Sequence, residues 1–181
     1  MNIAVYCSSS NHIAENYLAT AFSLGKWIAE NCHVLVFGGA TGGSMSAVSE
    51  GAASSNGKIV GVIPPAIIQM NRQSPLCTEL VTVQDMSERK ASMKNIADAF
   101  VVLPGSYGTL DELFDVTASA IVGEHRKPVI ILNENGFYDH LIALIAQMKE
   151  EKFIPVENFR PVFVNTPEEC FQQLVRISDE N

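Results

Sequence analysis

The sequence predicts a doubly wound α/β fold: a mainly parallel sheet of about seven strands with helices on both faces. Three observations carry that reading. Short apolar runs rich in Val and Ile recur along the chain. Longer stretches with helical spacing separate them, as the crossovers between parallel strands require. Small-residue turns, "CSSS", "GGATGGSM" and "PGSYGT", follow the first, second and fifth runs. In an open parallel sheet these turns fall at the carboxyl edge, where ligands bind.

The elements follow in order. Ile3–Cys7 reads as a strand and 13–30 as its helix; Val34–Phe37 is followed by a helix at 43–55. Ile59–Ile63 is a third strand, and Leu80–Val83 a fourth that leads into a helix at 87–97. Phe100–Leu103 ends abruptly at Pro104, before a helix at 108–122. Val129–Leu132 precedes a helix at 137–150, and Val162–Val164 one at 167–177. Runs this short and apolar suit strands covered on both faces. The stretch 64–79, "PPAIIQMNRQSPLCTE", opens on two prolines and lacks periodicity, so it reads as a surface loop beside a site, either a lid or a plain connector.

A chain of 181 residues is long enough for one domain that buries roughly 70% of its unfolded surface, so a single domain over 1–181 is expected. Hydrophobic residues make up 47% and charged residues 18%, the balance of a globule rather than a disordered chain. A net charge of -8 repels polyanions, which argues against nucleic acid and anionic membrane surfaces as partners. An anionic ligand therefore needs a local positive site, and Arg89, Lys90 and Lys94 cluster within a few positions. Cys7, Cys32, Cys77 and Cys170 form no C-x-x-C and no histidine pair has zinc spacing, so neither a disulfide framework nor a metal site is indicated. The N-terminus enters a strand-like "NIAVYC", and no apolar run nears the ~18 residues of a membrane span. A soluble cytoplasmic protein is expected.

Two segments carry the chemistry. In "LPGSYGTLDEL", Thr109-Leu110-Asp111-Glu112 reads as a capping box, with Thr109 as N-cap and Glu112 returning to its backbone N–H. Its place after a glycine turn at the ligand edge offers the alternative that Glu112 faces a ligand. In "MSERKASMKNIADAF", Arg89 shares a helical stripe with Met93 and Ile96 or Ala97, which directs it toward the core. Lys90 and Lys94 lie on an adjoining face and read as solvated. "GGATGGSM" is neither a Walker loop nor a G-x-G-x-x-G, so packing and phosphate binding both remain open for it. His12, His33, His125 and His140 stand isolated, and Cys7 has no neighbouring histidine to activate it.

"MSERKASM" followed by "ADAFVVLPGSYGTLDEL" resembles the paired M-x-x-R-K and P-G-G-x-G-T-x-x-E motifs of the Lonely Guy family of cytokinin-activating phosphoribohydrolases, once labelled lysine decarboxylases. "VYCSSS", "VFGGATGGSM" and "KPVIILNENGFYDHL" extend the resemblance over nearly the whole chain. The resemblance implies a Rossmann-like domain that hydrolyses the N-glycosidic bond of a purine nucleoside 5'-monophosphate, such as AMP or an N6-modified AMP. It implies Arg89 and Glu112 as catalytic residues, with substrate and phosphate held by Ser8, Ser9, Gly39, Met86, Lys90, Gly105, Ser106, Tyr107, Gly108 and Thr109. No cofactor and no metal are implied, and a homodimer is. Helix N-termini and turn amides bind phosphate without a surplus of lysine, which reconciles an anionic substrate with an acidic chain.

Several positions depart from the family pattern. Ser106 replaces the second glycine of P-G-G, Ser8 replaces the glycine of the first-strand motif, and Ala40, Ser44 and Ser46 alter the second loop. Ser119-Ala120-Ile121-Val122-Gly123 stands where the family has W-x-Q-L-G. The base preference is thus left open, and a non-catalytic nucleotide sensor or carrier of the same fold is the alternative to an enzyme. Decarboxylation by a Schiff-base lysine finds no lysine in a distinctive setting.

Overall fold

The computed structural model describes residues 1–154 and 161–179. Seven strands form one sheet: β1 (Asn2–Tyr6), β2 (Val34–Phe37), β3 (Lys58–Ile63), β4 (Glu79–Thr82), β5 (Ala99–Val102), β6 (Val129–Leu132) and β7 (Val162–Val164). Their order is β4-β3-β2-β1-β5-β6-β7, and all six pairings are parallel. The helices are α1 (Glu15–Glu30), α2 (Gly43–Ser54), α3 (Pro65–Gln69), α4 (Met86–Ile96), α5 (Tyr107–Ile121), α6 (Asp139–Glu150) and α7 (Pro167–Asp179).

Strand alternation sends successive side chains to two cores. Ile3, Val5, Leu35, Phe37, Ile59 and Val101 meet α1, α2 and α7 on one face through Ala21, Leu24, Ile28, Val48 and Leu174. Ala4, Tyr6, Val36, Val62, Phe100 and Val102 meet α4 and α5 on the other through Met93, Leu113 and Val116. The doubly wound expectation is met, with most element ends within one or two residues of those read from the sequence.

Two expectations need correction. The stretch 64–79 contains α3, which Pro65 starts at its first helical position; five residues give too little length for periodicity to show. The capping box at Thr109–Glu112 does not form. The N-cap of helix α5 is Ser106, three residues before Thr109, so Thr109 lies inside the helix and the Glu112 carboxylate turns elsewhere. A side-chain cap forms instead on α4, where Asp85 Oδ1 accepts from Glu88 N at 2.9 Å and Glu88 Oε2 accepts from Gln84 N at 2.6 Å.

Helices α1 and α2 touch through glycine. A Cβ at Gly25 would overlap the Val48 carbonyl, and one at Gly51 would overlap the Phe22 carbonyl. Urea unfolding of Gly51→Ala should therefore show a loss of about 1–3 kcal/mol, the range for overpacking a close contact. Unchanged or raised stability, as expected for an exposed helical Gly→Ala change, would contradict this packing.

Candidate active site

Strands β1 and β5 are neighbours in the sheet, but the chain leaves them toward opposite faces, to α1 and to α5. A crevice opens at such a switch in strand order. The turns after β1, β2 and β5 bring Cys7, Gly39 and Gly105 to this one edge. Two bonds fix the β5 exit: Leu103 N donates to Tyr6 O at 2.9 Å, and the buried Tyr138 hydroxyl donates to Leu103 O at 2.8 Å. Burial raises the Tyr138 phenol pKa and keeps it a donor.

The pocket at this edge has a volume of about 170 Å³. Its floor is an ion pair. Arg89 Nη1 donates to Glu112 Oε1 at 2.6 Å, and Arg89 Nε donates to Val62 O at 3.0 Å. Both side chains are almost fully buried, at 6% and 5% exposure. Glycine makes room for them, since a Cβ at Gly38 would overlap Arg89 Nη2. Desolvation raises the Glu112 pKa above that of an ordinary glutamate, and the Arg89 charge and hydrogen bond oppose the shift. Cys7 also lines the pocket, but burial, reinforced by Glu112, pushes its thiol pKa up and leaves no nucleophilic thiolate.

The rim belongs to α5. Among the described residues the amides of Tyr107, Gly108 and Thr109 have no hydrogen-bond partner, so the positive end of the helix is open to a ligand. The α2 end differs. Gly42 N donates to Ser46 Oγ, Gly43 N to Asn11 Oδ1 and Met45 N to Ser8 O. These bonds tie the "GGATGGSM" turn to the rest of the chain.

Of the residues singled out from the sequence, Ser8, Ser9, Met86, Arg89, Ser106, Gly108, Thr109 and Glu112 line the pocket together. Gly39, Gly105, Tyr107 and Lys90 stand outside that lining. Gly39, at φ +68°, accepts from Ser74 N at 2.8 Å and so ties down the 64–79 stretch. Gly105 gives way to the Thr109 side chain, which a Cβ there would overlap. Tyr107 points into solvent at 91% exposure. Lys90 pairs with Asp111 at 2.8 Å, which raises its pKa, and Lys94 pairs with Asp115 at 3.4 Å. These lysines clamp α4 to α5 rather than standing solvated. The lining also includes Ala40, noted above only as a departure from the family pattern, and Gly38, Met45, Ile67 and Arg72, which sequence reasoning did not select. A lone arginine in the loop beside the ligand edge was the available signal for Arg72.

An all-parallel sheet, a pocket at its switch point and a buried acid–arginine pair beneath open helix amides define the class as a Rossmann-like α/β protein with a candidate site at the sheet's carboxyl edge. Comparisons place it more closely. A family model described as "Possible lysine decarboxylase" matches residues 45–174. The Oryza sativa subsp. japonica protein "Cytokinin riboside 5'-monophosphate phosphoribohydrolase LOG" is 39% identical over 165 residues, covering 91% of this chain and 68% of its own. The Arabidopsis thaliana "Cytokinin riboside 5'-monophosphate phosphoribohydrolase LOG7" is 38% identical over 179 residues, covering 98% of this chain and 81% of its own. Among solved structures, the molybdenum cofactor carrier protein from Chlamydomonas reinhardtii shares the fold with a TM-score of 0.72 at 21% identity, covering 98% of both chains. The X-ray structure of TM1055 superposes with a TM-score of 0.78 at 22% identity, covering 97% of this chain and 98% of its own. The chain belongs to the Lonely Guy family. The decarboxylase in the family description has no support in the pocket, whose lining contains no lysine to form a Schiff base.

Gly38→Ala tests the fit around the pair. The added methyl displaces the guanidinium from Glu112 and Val62 O, and breaking a buried charged pair costs about 3–5 kcal/mol. A urea midpoint equal to that of the parent protein would show that the cradle at Gly38 is not required.

Proposed function

We propose that the chain hydrolyses the N-glycosidic bond of a purine nucleoside 5'-monophosphate, releasing the base and ribose 5-phosphate. The observation that carries this reading is the buried Arg89–Glu112 contact at 2.6 Å beneath the open amides of α5. Breaking a ribosyl C–N bond builds oxocarbenium-like positive charge on the sugar. A carboxylate desolvated below it stabilises that charge and aligns the attacking water. Burial alone would favour protonated Glu112, and Arg89, held by Val62 O, is the main group that opposes it. The α5 amides and the Ser106 and Thr109 hydroxyls receive the 5'-phosphate. Gly108 supports that assignment, because nothing lies within 4 Å of where its Cβ would be. Packing gives no reason for glycine inside a helix, whereas close approach of a ligand does.

Glu112→Gln should abolish base release from AMP or N6-isopentenyl-AMP while the folded variant still binds nucleotide, and Arg89→Ala should do the same. Near-normal turnover by Glu112→Gln would overturn the assignment. The phosphate cradle predicts that AMP is hydrolysed far better than adenosine, because remote binding orients the ribose. Ser106→Gly should keep activity and Ser106→Val should obstruct it; equal kcat/KM for AMP and adenosine would contradict the cradle. The pH profile carries a sign of its own. Activity needs Glu112 ionised, so it is lost as pH falls through a pKa raised above the ordinary 4.5. An acid limb at or below that value would contradict a desolvated catalytic carboxylate.

The same reading makes the protein a single-domain cytoplasmic homodimer. No helix among the described residues is long and apolar enough to cross a membrane. Leu113, Phe114, Ile121, Ile145, Met148 and Phe163 line an apolar groove of about 370 Å³ between α5 and α6. Helix α6 has no buried residue although it carries Leu141, Ile142, Leu144 and Ile145. A second copy, offering the same face across a two-fold axis, is the occupant that covers such a surface. Light scattering should report a dimer at micromolar concentration and a monomer for Phe114→Glu; a monomeric parent protein would contradict this.

A further inference from the structure

Arg72 is the one arginine or lysine in the pocket lining, among the described residues, that has no carboxylate partner. The charge of Arg89 is matched by Glu112 at the floor. Lys90 and Lys94 are engaged by Asp111, Asp115 and Glu124 outside the lining. Arg72 is half-buried, and one nitrogen is already committed: Nη2 donates to Thr41 O at 2.9 Å and to Ser9 O at 3.3 Å. Its Nε and Nη1 have no partner among the described residues. The backbone that carries it is strapped to the β2 turn. Thr41 N donates to Arg72 O at 2.6 Å, Thr41 Oγ1 donates to the same oxygen at 3.2 Å, and Ala40 and Gln73 form an antiparallel bridge. The guanidinium is therefore anchored at one corner, with two donors left over, at the wall of the pocket that contains Ser8, Ser9, Ser106 and Thr109.

We propose that Arg72 is a substrate-binding residue that supplies the countercharge for the 5'-phosphate, facing the α5 amides across the pocket. This rests on the nucleotide reading above and adds the missing charge to it. A phosphate monoester carries close to two negative charges at neutral pH, in a protein whose net charge is -8. Helix amides supply only about half a positive charge between them. An arginine held by two carbonyls forms charge-assisted bonds to phosphate oxygens with little further ordering of its side chain. Arg72 also borders a neighbouring polar cleft lined by Ser10, Asn11, His12, Thr41 and Ser46. At the start of α2 beside that cleft the amides of Gly42, Gly43 and Met45 are already bonded within the chain, whereas the first three amides of α5 are open, so the anion is assigned to the α5 side.

The test is direct binding of ribose 5-phosphate and adenine to the full chain by calorimetry. Arg72→Gln keeps a side-chain donor for the Ser9 and Thr41 carbonyls but removes the charge. It should weaken ribose 5-phosphate about tenfold to a hundredfold, leave adenine binding unchanged and flatten the salt dependence of ribose 5-phosphate binding. Arg72→Lys should recover part of that affinity. Equal affinity of the parent and Arg72→Gln for ribose 5-phosphate would overturn the assignment, as would a parallel loss of ribose 5-phosphate and adenine, which marks collapse of the loop. Failure of the parent protein to bind ribose 5-phosphate would overturn it as well. Phosphate binding through Arg72 without any base release would leave it standing and sink the hydrolase reading alone.

Discussion

The site depends on one interaction, the ion pair between Arg89 and Glu112 under the sheet's carboxyl edge. Two charges withdrawn from water are tolerated only when geometry and additional hydrogen bonds compensate for desolvation. Several local features serve that need. Helix α4 directs Arg89 inward on the stripe of Met93, the Val62 carbonyl receives its Nε, and Gly38 leaves room for its outer nitrogen. Helix α5 presents Glu112 from the other side, and the surface pairs of Lys90 and Lys94 with Asp111 and Asp115 hold the two helices in register. The surface pairs contribute little energy each, but they fix the approach of the elements that bear the buried one.

The strand order converts this pair into a site. Had β1 and β5 sent their helices to the same face, no crevice would open above Glu112. The crevice instead exposes the first amides of α5 over a buried carboxylate, so one end of the pocket favours negative charge and the other tolerates developing positive charge. A nucleotide whose ribose becomes cationic while its phosphate stays anionic matches that polarity. An acidic chain can hold such a ligand because the relevant field is local, and the global charge is screened beyond about 10 Å at ordinary salt.

Much of this was legible in the sequence for identifiable reasons. The strands are short apolar runs, several of them cut off by Gly, Pro, Ser or Asn, and the phase of Arg89 relative to Met93 announced its burial. Glu112 was ambiguous because T-x-x-E is a valid capping pattern. Only the tertiary position of Arg89 shows that the Glu112 carboxylate turns inward, from a helix that starts at Tyr107. Helix α3 is too short to show a period, and the lysine clamps depend on the spacing between two helices that are adjacent in space. Arg72 showed in the sequence only as a lone arginine in a loop beside the ligand edge, because its value comes from carbonyls 31 and 63 residues away in the chain.

The most direct test of the account is the product balance with AMP. Incubation of the purified chain with AMP, followed by chromatographic separation, should yield adenine and ribose 5-phosphate in equal amounts, with neither adenosine nor inorganic phosphate. Adenosine appearing together with phosphate, or AMP recovered intact beside the fully folded protein, would contradict it.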